Sequence, residues 1–226
     1  MEPIAYIHTG YSEKFGIPRQ SGLVWETVGR IVFEPSYRHP DAVRGIEQYS
    51  HLWLIWDFSE NHRNGWNATV TPPRLGGKER VGVFASRSPF RPNPIGLSCV
   101  KLLDVLDDEK FGKVLIVGGA DMLDGTPVYD IKPYLPYADS HPEAEGGFGE
   151  ERKDRELTVT AGDEIKAGLG EEFYNTVSRL IAMDPRTAFI HDDKRVWGLC
   201  YEGVNVRFRV EGDTAVITEI DKEYQE

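Results

Sequence analysis

Short apolar runs rich in β-branched and aromatic residues fill the first 135 positions of the chain. They are GLVWETVGRIVF (22–33), SHLWLIWDF (50–58), VGVFA (81–85), LSCVKLLDVL (97–106), KVLIVGGAD (113–121) and TPVYDIKPYL (126–135). Turn formers separate them: Pro35, Pro72-Pro73, Gly76-Gly77, Asp107-Asp108 and Asp124-Gly125. Short runs so punctuated predict strands of an antiparallel barrel or sandwich. A short helix is expected from Asp41 to Tyr49, with Asp41 capping it and Pro40 before it. Strands and helices do not alternate, which argues against a doubly wound parallel sheet.

The pattern then breaks. SHPEAEGGFGEERKDRE (140–156) is acidic and poor in apolar residues, the composition of a linker or exposed loop. Beyond it, EEFYNTVSRLIAM (171–183) sets Phe173, Val177, Leu180 and Ile181 on one helical face, and Asp184-Pro185 ends the helix. Residues 195–220 read as a three-stranded meander with turns at Glu202-Gly203 and Glu211-Gly212-Asp213. The chain is thus expected to be mainly β, with a strand-rich domain over 1–139. A linker and a small α+β domain follow over 140–226.

At 226 residues the chain can bury a sizeable core without a disulfide or structural metal. Its two cysteines, Cys99 and Cys200, lie in apolar runs and are expected to be buried reduced thiols. The N-terminus MEPIAYIHTG carries no signal-peptide pattern, and no window of 18 apolar residues occurs. A cytoplasmic protein without a membrane partner is expected. The net charge of -11 argues against a nucleic-acid partner when taken alone. From Asn61 to Lys101, however, seven basic residues face a single acid, Glu79. From Asp139 to Glu172 eleven acids face four basic residues. A local basic field therefore sits in an acidic whole.

Several chemistries are excluded. The six histidines show no H-x-H or H-x-x-x-H pairing and neither cysteine has a C-x-x-C partner, so no metal site is expected. There is no G-x-S-x-G and no Walker A run. GGADMLDG (118–125) lacks the G-x-G-x-x-G order of a Rossmann site. Three stretches remain that join Gly or Pro stiffness to polar side chains: EKFGIPRQSG (13–22), PPRLGGKERVGVFASRSPFRPNPIG (72–96) and DGTPVYDIKPYLPYAD (124–139). Rigid loops on a strand scaffold commonly display binding residues in this way.

In these stretches PRQ, the PPRLGG to RPNPIG block and DGTPVYDIKPYLPYAD closely resemble the TrmO/TsaA-like tRNA methyltransferases. The resemblance covers residues 1 to about 139 well. It extends more weakly into the tail through AMDPR (182–186) and VNVRFRV (204–210). It implies an antiparallel β-barrel and a homodimer with the methyl donor near the subunit interface. It also implies S-adenosylmethionine-dependent methylation of tRNA. The acceptor is N6 of threonylcarbamoyl-adenosine, just 3′ of the anticodon in threonine tRNA. By motif, the donor pocket draws on Pro18, Arg19, Gln20, Ser59, Glu60, Arg87, Leu97, Asp124, Gly125, Thr126 and Pro127.

Chemistry gives these residues candidate roles. Arg19 or Arg87 pairs the donor carboxylate, and Leu97 floors the adenine. Glu60 and the Asp124 turn are candidates for the sulfonium. Asp130 and Asp124 are candidate catalytic bases, and Asn93 a candidate for orienting the modified base. Arg74, Lys78, Arg80 and Arg91 are candidates for tRNA phosphates, and Phe90 and Tyr137 for stacking an extruded base. Two alternatives stand beside this reading: a non-catalytic S-adenosylmethionine- or RNA-binding module, and a methyltransferase acting on another acceptor.

Overall fold

A computed structural model describes residues 1–62, 65–72, 79–148, 156–186, 192 and 194–222. Six strands close into a barrel: β1 Ala5–Thr9, β2 Val28–Phe33, β3 His51–Asp57, β6 Ile95–Asp108, β7 Gly112–Gly118 and β8 Thr126–Pro133. Their order is β1-β2-β7-β6-β3-β8, and every neighbouring pair is antiparallel. The two-residue strands β4 Thr69–Val70 and β5 Val81–Gly82 pair separately. Alternation fills the barrel: Leu52, Leu54 and Trp56 of β3 point inward beside Ile7, Ile31, Val100, Leu115, Val117 and Val128.

The tail forms a second sheet in the order β10-β11-β12-β9, from Trp197–Tyr201, Val204–Glu211, Thr214–Asp221 and Thr158–Ala161. Strand β9 joins β12 in parallel, as a fourth strand beside the expected meander. A one-turn helix α1, Pro136–Asp139, follows the barrel. In the tail, α2 Asp163–Leu169 and α3 Glu171–Ala182 follow β9. Val177, Leu180 and Ile181 of α3 are buried against the sheet, with Phe173 half-buried beside them. The architecture is therefore a closed antiparallel barrel followed by a small α+β unit, the expected fold class.

Three local expectations change. Residues 41–49 form two 3-10 turns, Pro40–Val43 and Ile46–Gln48, in place of one helix. Gly45 stands between them at φ 86, a left-handed conformation that ends helical hydrogen bonding. The run 22–33 is a strand only from Val28. Before that, Gly22 N–H donates to Gly119 O and Val24 turns into the second sheet's core. The run 81–85 yields two strand residues and a 3-10 turn, Val83–Ala85.

At the barrel end where β3 stops and β6 starts, Trp56 lies over Gly96. A Cβ at Gly96 would stand 2.2 Å from the indole, so only glycine fits there. Gly96→Ala is expected to lower stability by about 1–3 kcal/mol through overpacking. Urea unfolding followed by tryptophan fluorescence checks this.

Candidate functional site

Parts of the three polar stretches meet at that barrel end. Pro18, Arg19 and Gln20 come from the β1–β2 connection, and Trp56 to Asn61 from the exit of β3. Ser86, Arg87 and Pro89 precede Ile95, Gly96 and Leu97 of β6, and Asp121, Met122, Leu123 and Thr126 lead into β8. They line an inner hollow of about 640 Å³. A wider outer hollow of about 1400 Å³ adjoins it, lined by His62, Trp66, Arg80, Phe84, Phe90 and others. Arg19, Gln20, Asn61, Ser86, Arg87, Pro89 and Arg91 belong to both walls, so the two form one continuous cleft.

The stiff segment 84–96 divides its two arginines. Arg91 turns inward and donates through Nη1 to Ser86 O at 3.0 Å and Ser88 O at 3.1 Å. Ser86 Oγ donates to Val83 O, and Phe90 N–H to Ser88 Oγ. With the turn braced from within, Arg87 donates to Gln20 Oε1, and Gln20 Nε2 in turn to Arg19 O. Arg19 Nη2 also reaches Asp184 O of the tail's AMDPR segment at 3.3 Å. Two loops far apart in sequence are thereby fastened across the cleft.

Residues 11–24 gain this position from the second core. Tyr11 and Val24 are buried in it, and Phe15 and Ile17 pack against it. Phe15 stacks on Trp197 with centroids 5.8 Å apart, and Gly16 lies against the side chain of Leu199. The Pro18–Gln20 wall therefore hangs between anchors set by the tail.

The motif-derived residues separate into groups. Pro18, Arg19, Gln20, Ser59, Glu60, Arg87, Leu97 and Thr126 line the inner hollow. Arg80, Phe90 and Arg91 line the outer one. Asp124, Gly125 and Pro127 stand behind the wall. Asp124 accepts from Thr9 N–H at 3.0 Å and contacts His8 Nδ1 at 3.2 Å, tying the turn to β1. Asp130 is bridged to Lys132 at 2.9 Å and lines neither hollow. Asn93 and Tyr137 likewise lie outside both walls, Tyr137 almost fully exposed. Arg74 and Lys78 lie outside the described residues.

Two carboxylates went unnoticed in the sequence. Asp57 is buried at the end of β3, and both its oxygens contact His62 Nε2, at 2.9 and 2.8 Å. The pair spans the cleft, Asp57 in the inner wall and His62 in the outer. Asp121 lies in the inner wall, where it accepts from Ser98 Oγ at 2.5 Å. Ser98 Oγ accepts in turn from Trp56 Nε1 at 2.9 Å. Burial pushes the Asp121 carboxyl up, against the Ser98 hydroxyl, its own and Ser21's backbone N–H groups and the Arg87 guanidinium. The signal for Asp121 was the glycine-containing run GGADMLDG, set aside because it lacks a dinucleotide fingerprint.

Among the described residues no group of three or more His, Cys, Asp or Glu gathers to hold a metal, and no helix is long and apolar enough to cross a membrane. A closed barrel with a charged hollow at its strand ends defines a non-Rossmann small-molecule-binding protein with a basic, aromatic-lined annex. The family description "tRNA-methyltransferase O N-terminal domain" matches residues 6–140, and "TrmO C-terminal domain" matches 155–223. The chain belongs to the TrmO family. It is 42% identical over 217 residues to the Escherichia coli tRNA (adenine(37)-N6)-methyltransferase, covering 92% of each chain. It is 44% identical over 170 residues to the Eikenella corrodens protein of the same name, covering 75% of this chain and 95% of that one. The crystal structure of TrmO from Pseudomonas aeruginosa superposes with a TM-score of 0.75 at 30% identity, covering 97% of both chains.

Leu199 lines neither hollow yet packs against Gly16, between Lys14 and Ile17 of the inner wall. Leu199→Ala is expected to cost about 2–5 kcal/mol and also to weaken ligand binding in the inner hollow. Chemical denaturation and calorimetric titration with S-adenosylhomocysteine check the two effects.

Proposed function

We propose that this protein transfers the methyl group of S-adenosylmethionine to N6 of adenosine 37 in tRNA, on a base that already carries a threonylcarbamoyl group, threonine tRNA being the expected substrate. The observation that carries this reading is the divided cleft. Its inner hollow falls within the roughly 300–1,000 Å³ typical of small-molecule sites and offers a guanidinium, a partly buried carboxylate and apolar Leu97 and Met122. That donor set suits a zwitterion with an attached adenosine. The outer hollow offers Arg80 for phosphate and Trp66, Phe84 and Phe90 for a base drawn out of its stack. Trp66 and Phe84 are exposed, with ring centroids 5.9 Å apart.

When bound, S-adenosylmethionine supplies an electrophilic methyl group. The chain's own residues align the acceptor with it and exclude water. Arg87, fastened to Gln20, is assigned to the donor carboxylate and Leu97 to the adenine. The proton leaving N6 is assigned to His62 Nδ1. With Nε2–H directed at Asp57, Nδ1 is left as the acceptor, and the resulting imidazolium is matched by the carboxylate. A homodimer in the cytoplasm completes the proposal.

The test is methyl transfer from radiolabelled S-adenosylmethionine to two tRNA pools, with and without the threonylcarbamoyl group. Label only in the modified pool is expected. Label in neither, with donor still bound, contradicts enzymatic activity on this acceptor and favours a binding module. Arg87→Ala is expected to weaken donor affinity at least tenfold, by analogy with the loss of a charge-assisted pair. His62→Gln is expected to slow transfer and leave donor affinity unchanged.

A further inference from the structure

Asp121 is a charged group of the inner wall to which the family motif gives no role. Its surroundings are specific. The Trp56 indole can only donate, so it occupies a lone pair of Ser98 Oγ. The single hydroxyl proton of Ser98 is then directed at Asp121, 2.5 Å away. The relay Trp56 to Ser98 to Asp121 runs in one direction and ends on an acceptor, which favours the ionised carboxylate over the acid. Ser21 N–H meets the same carboxylate. Among the described residues no Lys, Arg or His closes a salt bridge on it. Ser98 meets one of its oxygens, the backbone N–H groups of Ser21 and Asp121 assist, and the Arg87 guanidinium offsets its charge only from beyond ion-pair contact. Its neighbours in the wall, Leu97, Met122 and Leu123, are apolar.

We propose that Asp121 is the counter-charge for the sulfonium of the methyl donor and sets the protein's preference for S-adenosylmethionine over S-adenosylhomocysteine. The inference rests on the functional reading above. A sulfonium carries a full positive charge and no N–H or O–H. It is matched by a carboxylate whose lone pairs are partly met and whose charge is only partly offset. An ammonium group would instead require open lone pairs. Asp124 turns its carboxylate to Thr9 and His8, which leaves Asp121 as the carboxylate of the 118–125 run that faces the hollow.

The energetics follow the chemistry. A largely desolvated carboxylate with no ion-pair contact is costly, and its desolvation raises its pKa. A cationic ligand removes that cost. Positive charge leaves the sulfur as the methyl moves, so the pair favours the bound donor more than the transition state. Asp121 therefore contributes to donor affinity rather than to the rate of the bound complex.

The experiment titrates the parent and Asp121→Asn with S-adenosylmethionine and with S-adenosylhomocysteine, by calorimetry on the full chain. The two compounds share the adenosine, ammonium and carboxylate and differ in the sulfonium. The variant is expected to lose roughly tenfold or more in affinity for the first and to keep its affinity for the second. Its KM for the donor should rise with kcat at saturation retained. Equal losses for both compounds would overturn the assignment in favour of the ammonium or of packing, and no loss for either would overturn it outright. Retained affinity for S-adenosylhomocysteine also shows that the variant folds.

Should the variant not fold, the parent carries the test alone. Its preference for the cationic compound is expected to fall as the pH is lowered and Asp121, whose pKa burial raises, takes up a proton, with S-adenosylhomocysteine affinity level. The other titratable and charged groups facing Asp121 are Arg87, Arg19, Lys14, Glu60 and Asp57 in the same wall and Tyr11 behind it. A preference that stays constant with pH overturns the proposal. A parent that binds neither compound overturns the functional reading, and the inference with it.

Discussion

The cleft depends on residues 11–24 belonging to two structures at once. Tyr11, Phe15, Ile17 and Val24 are held in the core of the second sheet. Pro18, Arg19 and Gln20, between those anchors, form a wall of the hollow at the barrel's end. Neither unit builds the site alone. The barrel supplies the floor, from β3, β6 and the turn before β8, and the tail fixes the wall that stands over it. Glu202 N–H donating to Gly10 O, and Arg19 reaching Asp184 O, mark the two ends of this seam.

Stiffness within the cleft has a similar logic. Prolines in 84–96 withhold backbone donors, and side chains supply what the backbone lacks: Arg91 serves two carbonyls of its own turn, and Ser86 a third. One arginine is spent on the loop so that the other can be held against Gln20. Preorganisation of this kind lowers the ordering cost of binding, and a charged ligand gains most from it. The buried Asp57 and partly buried Asp121 carboxylates are tolerated on the same terms, each met by specific partners in a wall that a ligand would cover.

Strand content was legible because the long barrel strands carry continuous β-branched and aromatic runs. β1 and β9 were missed because four or five residues, AYIHT and TVTA, are too few to show a period. The short α2 was hidden by the charged stretch around it. In 41–49 the expected cap Asp41 lies inside the first turn, which His39 caps by accepting from Asp41 N–H, and Gly45 was not weighed. For the site, the motif pointed to Pro18–Gln20, Arg87 and Leu97, and the structure brings these into one wall. The carboxylates were less legible, since sequence does not say which side of a turn a side chain takes. Asp124 is consumed by β1 and Asp130 by Lys132, while Asp57 faces the cleft from the end of β3 and Asp121 from the connection between β7 and β8.

The central claim is that the methyl donor occupies the hollow at the barrel's end. Amide hydrogen exchange with and without S-adenosylhomocysteine tests it most directly. Slowed exchange is predicted in residues 14–22, 56–61, 95–98 and 121–126. Protection confined to the opposite hollow lined by Pro40, Val43, Leu102 and Lys113, or no protection under saturating ligand, would contradict it.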